Sequence, residues 1–147
     1  MMIGVDSSVI IAAVHANHPR HGIAIRWMVD ALARDALVAC HHSILEAYAV
    51  LTSLPGDLRV TPPEARDLLE TTVMGTMTVA GFHPESIWPT LADLVRMPAA
   101  GGRSYDAFVA RVLRAHGAQA VATFNGKHFT GLVDGLDVVD PAGARAG

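Results

Sequence analysis

A single cysteine, Cys40, leaves no partner for an intrachain disulfide and points to a cytosolic setting. No apolar run approaches the roughly 18 residues that a membrane span needs. The first residues lack a basic leader, and Asp6 interrupts their apolar stretch, so they do not read as a secretory signal. Lys127 is the only lysine beside ten arginines, and the net charge is −3. The chain therefore lacks the overall basic footprint of a nucleic-acid binder. Arginine suits bidentate contacts to phosphate, so charge alone leaves the partner open.

What is present is a generous core. Of 147 residues, 51% are apolar and 17% charged. That length suits one domain able to bury about 70% of its unfolded surface. Domain boundaries are expected at residues 1–140, with a frayed tail over 141–147.

Strands are expected at residues 2–6, 37–40, 77–82, 120–123 and 136–139. The intervening stretches carry helical periodicity at 7–15, 20–35, 43–53, 62–74, 84–97 and 104–116. Ser7 or Ser8 is the expected N-cap of the first helix. Ile23, Trp27 and Leu32 are expected to face inward from the second. Thr61-Pro62-Pro63-Glu64 has the form of a capped helix start. Residues 98–102 read as a flexible loop, and Gly117 as the glycine that ends the last helix. Short apolar strands alternating with helices argue for a parallel sheet covered on both faces. Functional groups in such sheets collect beyond the carboxyl ends of the strands.

Asp6 stands at such a carboxyl end. A lone carboxylate between buried elements costs several kcal/mol unless it is paired or coordinated. Glu46 is the only charged residue in an apolar helix, although Ser43-Ile-Leu-Glu46 also has the form of a capping box. Asp106 opens a helix, where it would also complement the helix dipole. Asn125 follows a strand, in a pair with Gly126 that equally suits a turn. If the three carboxylates converge, their repulsion must be offset by a cation or by protonation. Oxygen ligands alone favour Mg²⁺ or Mn²⁺ over zinc. Such a site suits phosphodiester hydrolysis.

The stretches IGVDSSVIIAAV, SILEAYAVLT, SYDAFVARVLRAHGA and AVATFNGKHF, in that order, carry a resemblance. The chain resembles the PIN domain family, and within it the VapC-type toxin ribonucleases of bacterial toxin–antitoxin pairs. The resemblance runs from Met1 to about Asp140. It implies a three-layer α/β/α fold with a parallel sheet of four or five strands. It also implies a Mg²⁺- or Mn²⁺-dependent endoribonuclease acting on structured RNA such as tRNA or ribosomal RNA. A homodimer is implied too, inhibited by a cognate antitoxin that covers the active site. Carried over by position, Asp6, Glu46 and Asp106 are the metal-binding acidic triad, and Asn125 joins them as the fourth catalytic position. Ser8 and Thr123 would orient the acids by hydrogen bonding. Many relatives have aspartate where this chain has Asn125, so the resemblance leaves the number of metals, one or two, open.

The spacing of His15, His18 and His21 invites a zinc reading, but Pro19 interrupts them, so a solvated loop is expected instead. His41, His42, Lys127 and His128 fall near the expected active edge, as candidates for proton transfer or phosphate contact. Trp27, Trp88, Phe108 and Phe124 read as core or interface residues. Arg103, Arg111 and Arg114 suit RNA or antitoxin contacts, or a solvated helix face. Three rival readings stay open at this point. A phosphatase forming an aspartyl-phosphate lacks its second aspartate in Asp6-Ser7-Ser8. A PIN-like module could bind RNA or a partner without cutting, and a housekeeping ribonuclease could share the chemistry.

Overall fold

The computed structural model describes residues 1–143. Five strands form one sheet: β1 (Met2–Val5), β2 (Ala36–Cys40), β3 (Met77–Ala80), β4 (Ala120–Ala122) and β5 (Asp137–Val139). Their order is β3-β2-β1-β4-β5, and every pairing is parallel. Among the described residues the helices are α1 (Ser7–Val14), α2 (His21–Leu32), α3 (His41–Leu51), α4 (Pro62–Thr76), α5 (Ile87–Arg96) and α6 (Arg103–Ala115).

The central strands β1, β2 and β4 are apolar on both faces because helices cover both. Ile3, Val5, Leu37, Ala39, Ala120 and Ala122 pack toward α1 to α4. The alternate residues Val38, Cys40 and Val121 pack toward α5 and α6. Gly4 takes its place in that second set for a steric reason. A Cβ there would stand 2.5 Å from Leu113 Cδ1, so any larger residue would force the buried Leu113 side chain to move. The result is the expected α/β/α arrangement, with five strands.

The strand order reverses between β1 and β4, which places the topological switch point at their carboxyl ends. Asp6 leaves β1 there, and its N–H donates to Ala122 O at 3.0 Å.

Several local expectations change. The N-cap of α1 is Asp6 itself, whose side chain accepts from Ser8 N–H, and neither serine takes that place. Helix α3 begins at His41, directly after β2, so Ser43 lies inside the helix and the Ser43–Glu46 capping box does not form. The Ser43 hydroxyl is buried without a partner. Helix α2 turns Ala24, Trp27, Met28 and Ala31 inward, at the i, i+3, i+4, i+7 spacing, and leaves Leu32 exposed. The expected helix over 84–97 is divided into a 3₁₀ turn, Pro84–Ser86, followed by α5. Thr61 does cap α4, accepting from Glu64 N–H at 3.4 Å. Gly117, at φ +91°, ends α6, with Gly117 N–H donating to Arg114 O and Ala118 N–H to Leu113 O. Residues 141–143 form a turn on Asp140. The rest of the expected tail, 144–147, lies outside the described residues.

Candidate active site

Asp6 is 7% exposed and is held from two elements. Its Oδ2 accepts the Ser8 hydroxyl at 2.9 Å, the Thr123 hydroxyl at 2.8 Å and Ser8 N–H at 3.4 Å. The two hydroxyl oxygens accept in turn: Phe124 N–H donates to Ser8 Oγ at 3.0 Å, and Asn125 N–H to Thr123 Oγ1 at 2.9 Å. A hydroxyl has one proton, so both protons are committed to Oδ2. The network fastens α1 to the chain leaving β4 across the switch point. The other oxygen, Oδ1, faces Ser7 Oγ at 3.5 Å. Ser7 spends its proton on Glu46 Oε1, at 2.6 Å. Asp6 Oδ1 is thereby left without a close donor.

Glu46 projects from α3 and pairs on its other side with His42, Nε2 to Oε2 at 3.6 Å. Asp106 sits in the first turn of α6, with His128 Nδ1 3.8 Å from its Oδ2. Glu46 and Asp106 line one cavity of about 470 Å³ together with Arg103, Tyr105 and His128. Burial pushes the Asp106 carboxyl above its ordinary range. His128 opposes that push, the charges of Asp6 and Glu46 add to it, and Arg103 opposes it. The three acids thus share one electrostatic field. The Asn125 side chain is not part of this group: the residue is exposed, and among the described residues only its backbone N–H joins the network.

A family model described as PIN domain matches residues 3–130. The chain belongs to the PIN domain family. It is 32% identical over 117 residues to Ribonuclease VapC27 of Mycobacterium tuberculosis, covering 80% of this chain and 80% of that protein. Two solved structures share the fold. One is the VapC20 toxin of Mycobacterium tuberculosis, described as cleaving the sarcin-ricin loop, with TM-score 0.67 and 21% identity over 86% of this chain and 92% of that one. The other is VapBC2 from Rickettsia felis bound to a fragment of its promoter DNA, with TM-score 0.68 and 11% identity over 95% of this chain and 98% of that one.

The donor set of this PIN domain fits a hard divalent cation. Its acids offer only oxygen, their charges add up on Asp106, and Asp6 keeps one oxygen without a close donor. Among the described residues, no three His, Cys, Asp or Glu groups are placed to hold an ion together directly.

The histidines of residues 15–21 are used by the backbone. His15 is buried, and its Nδ1 accepts from Asn17 N–H at 3.1 Å. A backbone N–H can only donate, so the ring proton is on Nε2, which donates to Leu58 O at 2.8 Å. His21 Nδ1 contacts Ala12 O at 2.8 Å. The expectation of a solvated loop therefore fails for His15. Arg111 is not on a solvated face either: it is ion-paired with Asp93, which also holds Arg96. Trp88 is exposed on α5, while Phe124 lies under the Arg20 guanidinium, 4.7 Å from ring centroid to Cζ.

Nothing in the sequence pointed to Ser7 as the donor that holds Glu46. Sequence reasoning also passed over Tyr105, whose only signal was its place beside Asp106.

Proposed function

We propose that this PIN domain is the toxin of a toxin–antitoxin pair, an endoribonuclease hydrolysing phosphodiester bonds in structured RNA, tRNA or ribosomal RNA. The carrying observation is the acid group at the switch point, with Asp6 fixed by Ser8 and Thr123, and Glu46 held by Ser7, the residue next to Asp6 in the chain. The similarity to Ribonuclease VapC27 supports the same reading.

Asp6 and Asp106 would hold Mg²⁺ or Mn²⁺, with Glu46 as a further ligand. Such an ion supplies positive charge to the phosphate oxygens and lowers the pKa of a water. The chain's own residues do the positioning. Ser8 and Thr123 fix the plane of the Asp6 carboxylate, so that Oδ1 faces outward from the network. Ser7 holds Glu46 on one oxygen and His42 flanks the other, so Glu46 is set to orient the attacking water. Asn125, exposed and tied to the network by its backbone N–H, would act on substrate from outside the acid group.

The proposal includes a single PIN domain over residues 1–140, a cytoplasmic setting, a cognate antitoxin and a homodimer. The Rickettsia felis VapBC2 structure supports an antitoxin partner. Among the described residues no helix is long and apolar enough to cross a membrane. Two apolar surfaces are open to protein partners: a groove of about 720 Å³ between α3 and α4, which includes Leu45 and Met74, and the α5 stripe of Trp88, Leu91 and Val95.

Expression in a bacterial host, wild type against Asp6→Ala, with sequencing of RNA 5′ ends, tests the reading. Growth arrest with discrete new ends in the wild type alone is the expected result. Growth without new ends in both would remove it.

A further inference from the structure

Tyr105 is 59% exposed, although its helix neighbours Ala107, Val109 and Ala110 are buried. It is nevertheless not a loose surface side chain. Its ring lies flat on His42, with centroids 5.2 Å apart and planes 6° apart. Phe108 meets the His42 ring edge-on at 6.2 Å and 79°, and Phe82 meets Phe108 at 5.9 Å and 86°. The Tyr105 plane is thus backed by a stack that reaches into the core. His42 is the one ring packed on Tyr105 among the described residues, and the 59% exposure of Tyr105 leaves surface for a second stacking partner.

That ring lines the same cavity as Glu46 and Asp106. The volume of about 470 Å³ falls in the range of small-ligand clefts. Arg103 lines it as well and makes no ion pair among the described residues, which leaves its planar donors for a phosphate or a base edge. An exposed, rigid aromatic plane with a free guanidinium beside it is how proteins take up unstacked RNA bases.

We propose that Tyr105, backed by His42, is the stacking platform for one unpaired RNA nucleobase next to the scissile phosphate, with Arg103 at that nucleotide's phosphate or base edge. The inference rests on the ribonuclease reading and adds a selection rule to it: cleavage falls where a base can leave its stack.

The test has two arms. In the first, the ring-proton NMR signals of Tyr105 are followed while the full chain is titrated with AMP, GMP, CMP and UMP, and separately with ribose 5-phosphate. At least one nucleotide is expected to move the Tyr105 signals upfield, and ribose 5-phosphate to leave them in place. Equal movement with ribose 5-phosphate, or none with any nucleotide, overturns the proposal. In the second arm, 5′ ends cut from bacterial total RNA are mapped for wild type, Tyr105→Ala and Tyr105→Phe. Wild type and Tyr105→Phe are expected to share a base bias at one position beside the cut. Tyr105→Ala is expected to lose that bias and to cut the favoured sites about 5- to 150-fold more slowly, the measure of one lost base stack. An unchanged bias in Tyr105→Ala overturns the proposal. If the wild type cuts nothing yet nucleotides still stack on Tyr105, the ribonuclease reading fails and the base site stands.

Discussion

Replacing Thr123 with valine keeps the shape of a fully buried side chain and removes its hydroxyl. Two bonds disappear: the 2.8 Å donation to Asp6 Oδ2 and the 2.9 Å acceptance from Asn125 N–H. A hydrogen bond to a charged group is worth about 1.5–3 kcal/mol net, and a stranded N–H costs about 1–3 kcal/mol. Asn125 is exposed, so water takes up part of the second cost. The added methyl returns up to about 0.8 kcal/mol. The expected loss is about 2–3 kcal/mol, or about 4–12 °C in Tm for a domain of this size. Urea denaturation should show a lower midpoint at unchanged slope. RNA cleavage should fall about 10- to 100-fold, as for other groups that orient a metal-binding carboxylate. A cycle with Asp6→Asn should give a coupling of about 1 kcal/mol or more, since the two residues touch. A loss under about 0.5 kcal/mol with cleavage unchanged would refute the idea that this hydroxyl holds Asp6.

Gly4→Ala should destabilise the fold by about 1–3 kcal/mol through the clash with Leu113, and Leu113→Val should restore part of it in thermal melts. Asp106→Asn should raise Tm in the absence of divalent ions while abolishing cleavage. Its folded-state pKa lies above the unfolded one, so its charge costs stability at neutral pH, and that cost vanishes as pH falls below the unfolded value. Wild-type stability in EDTA should accordingly decline as pH rises through the Asp106 titration, and the Asp106→Asn protein should lose that component. Mg²⁺ should stabilise the wild type by about 2.7 kcal/mol at a hundredfold excess over Kd, and Asp106→Asn much less; equal stabilisation of both proteins would remove Asp106 from the ion site.

The alternation of apolar strands with helices made the parallel sheet legible, because burial on both faces leaves a period-free apolar run that few other elements produce. Asp6 stood out for the same reason, as a charge between two such runs. The exact helix starts were less legible. Ser7, Ser8 and Ser43 are all good caps by type, yet Asp6 takes one start and the chain passes from Cys40 into α3 with no side-chain cap at all. Local preference lost there to the packing of α3 on the sheet. Glu46 was ambiguous between a cap and a site residue until α3 was seen to begin before Ser43. The links among the acids were invisible because they join residues far apart in sequence: Ser7 to Glu46 spans 39 positions, and Thr123 to Asp6 spans 117. Tyr105 was hidden because a tyrosine in a helix is ordinarily core, and only its stack on His42 distinguishes it. The histidines at 15, 18 and 21 were expected on a solvated loop, yet backbone groups take both ring nitrogens of His15 and Nδ1 of His18 and His21.

The central claim is that Asp6, Glu46 and Asp106 make this PIN domain an ion-dependent ribonuclease. The most direct test is cleavage of bacterial total RNA by the purified protein with Mg²⁺ or Mn²⁺ and with EDTA, beside Asp6→Asn and Asp106→Asn proteins shown by circular dichroism to be folded. Discrete fragments are expected from the wild type with either ion, none in EDTA, and none from either variant. Fragments of the same pattern from a folded Asp6→Asn or Asp106→Asn protein, or from wild type in EDTA, would contradict that claim.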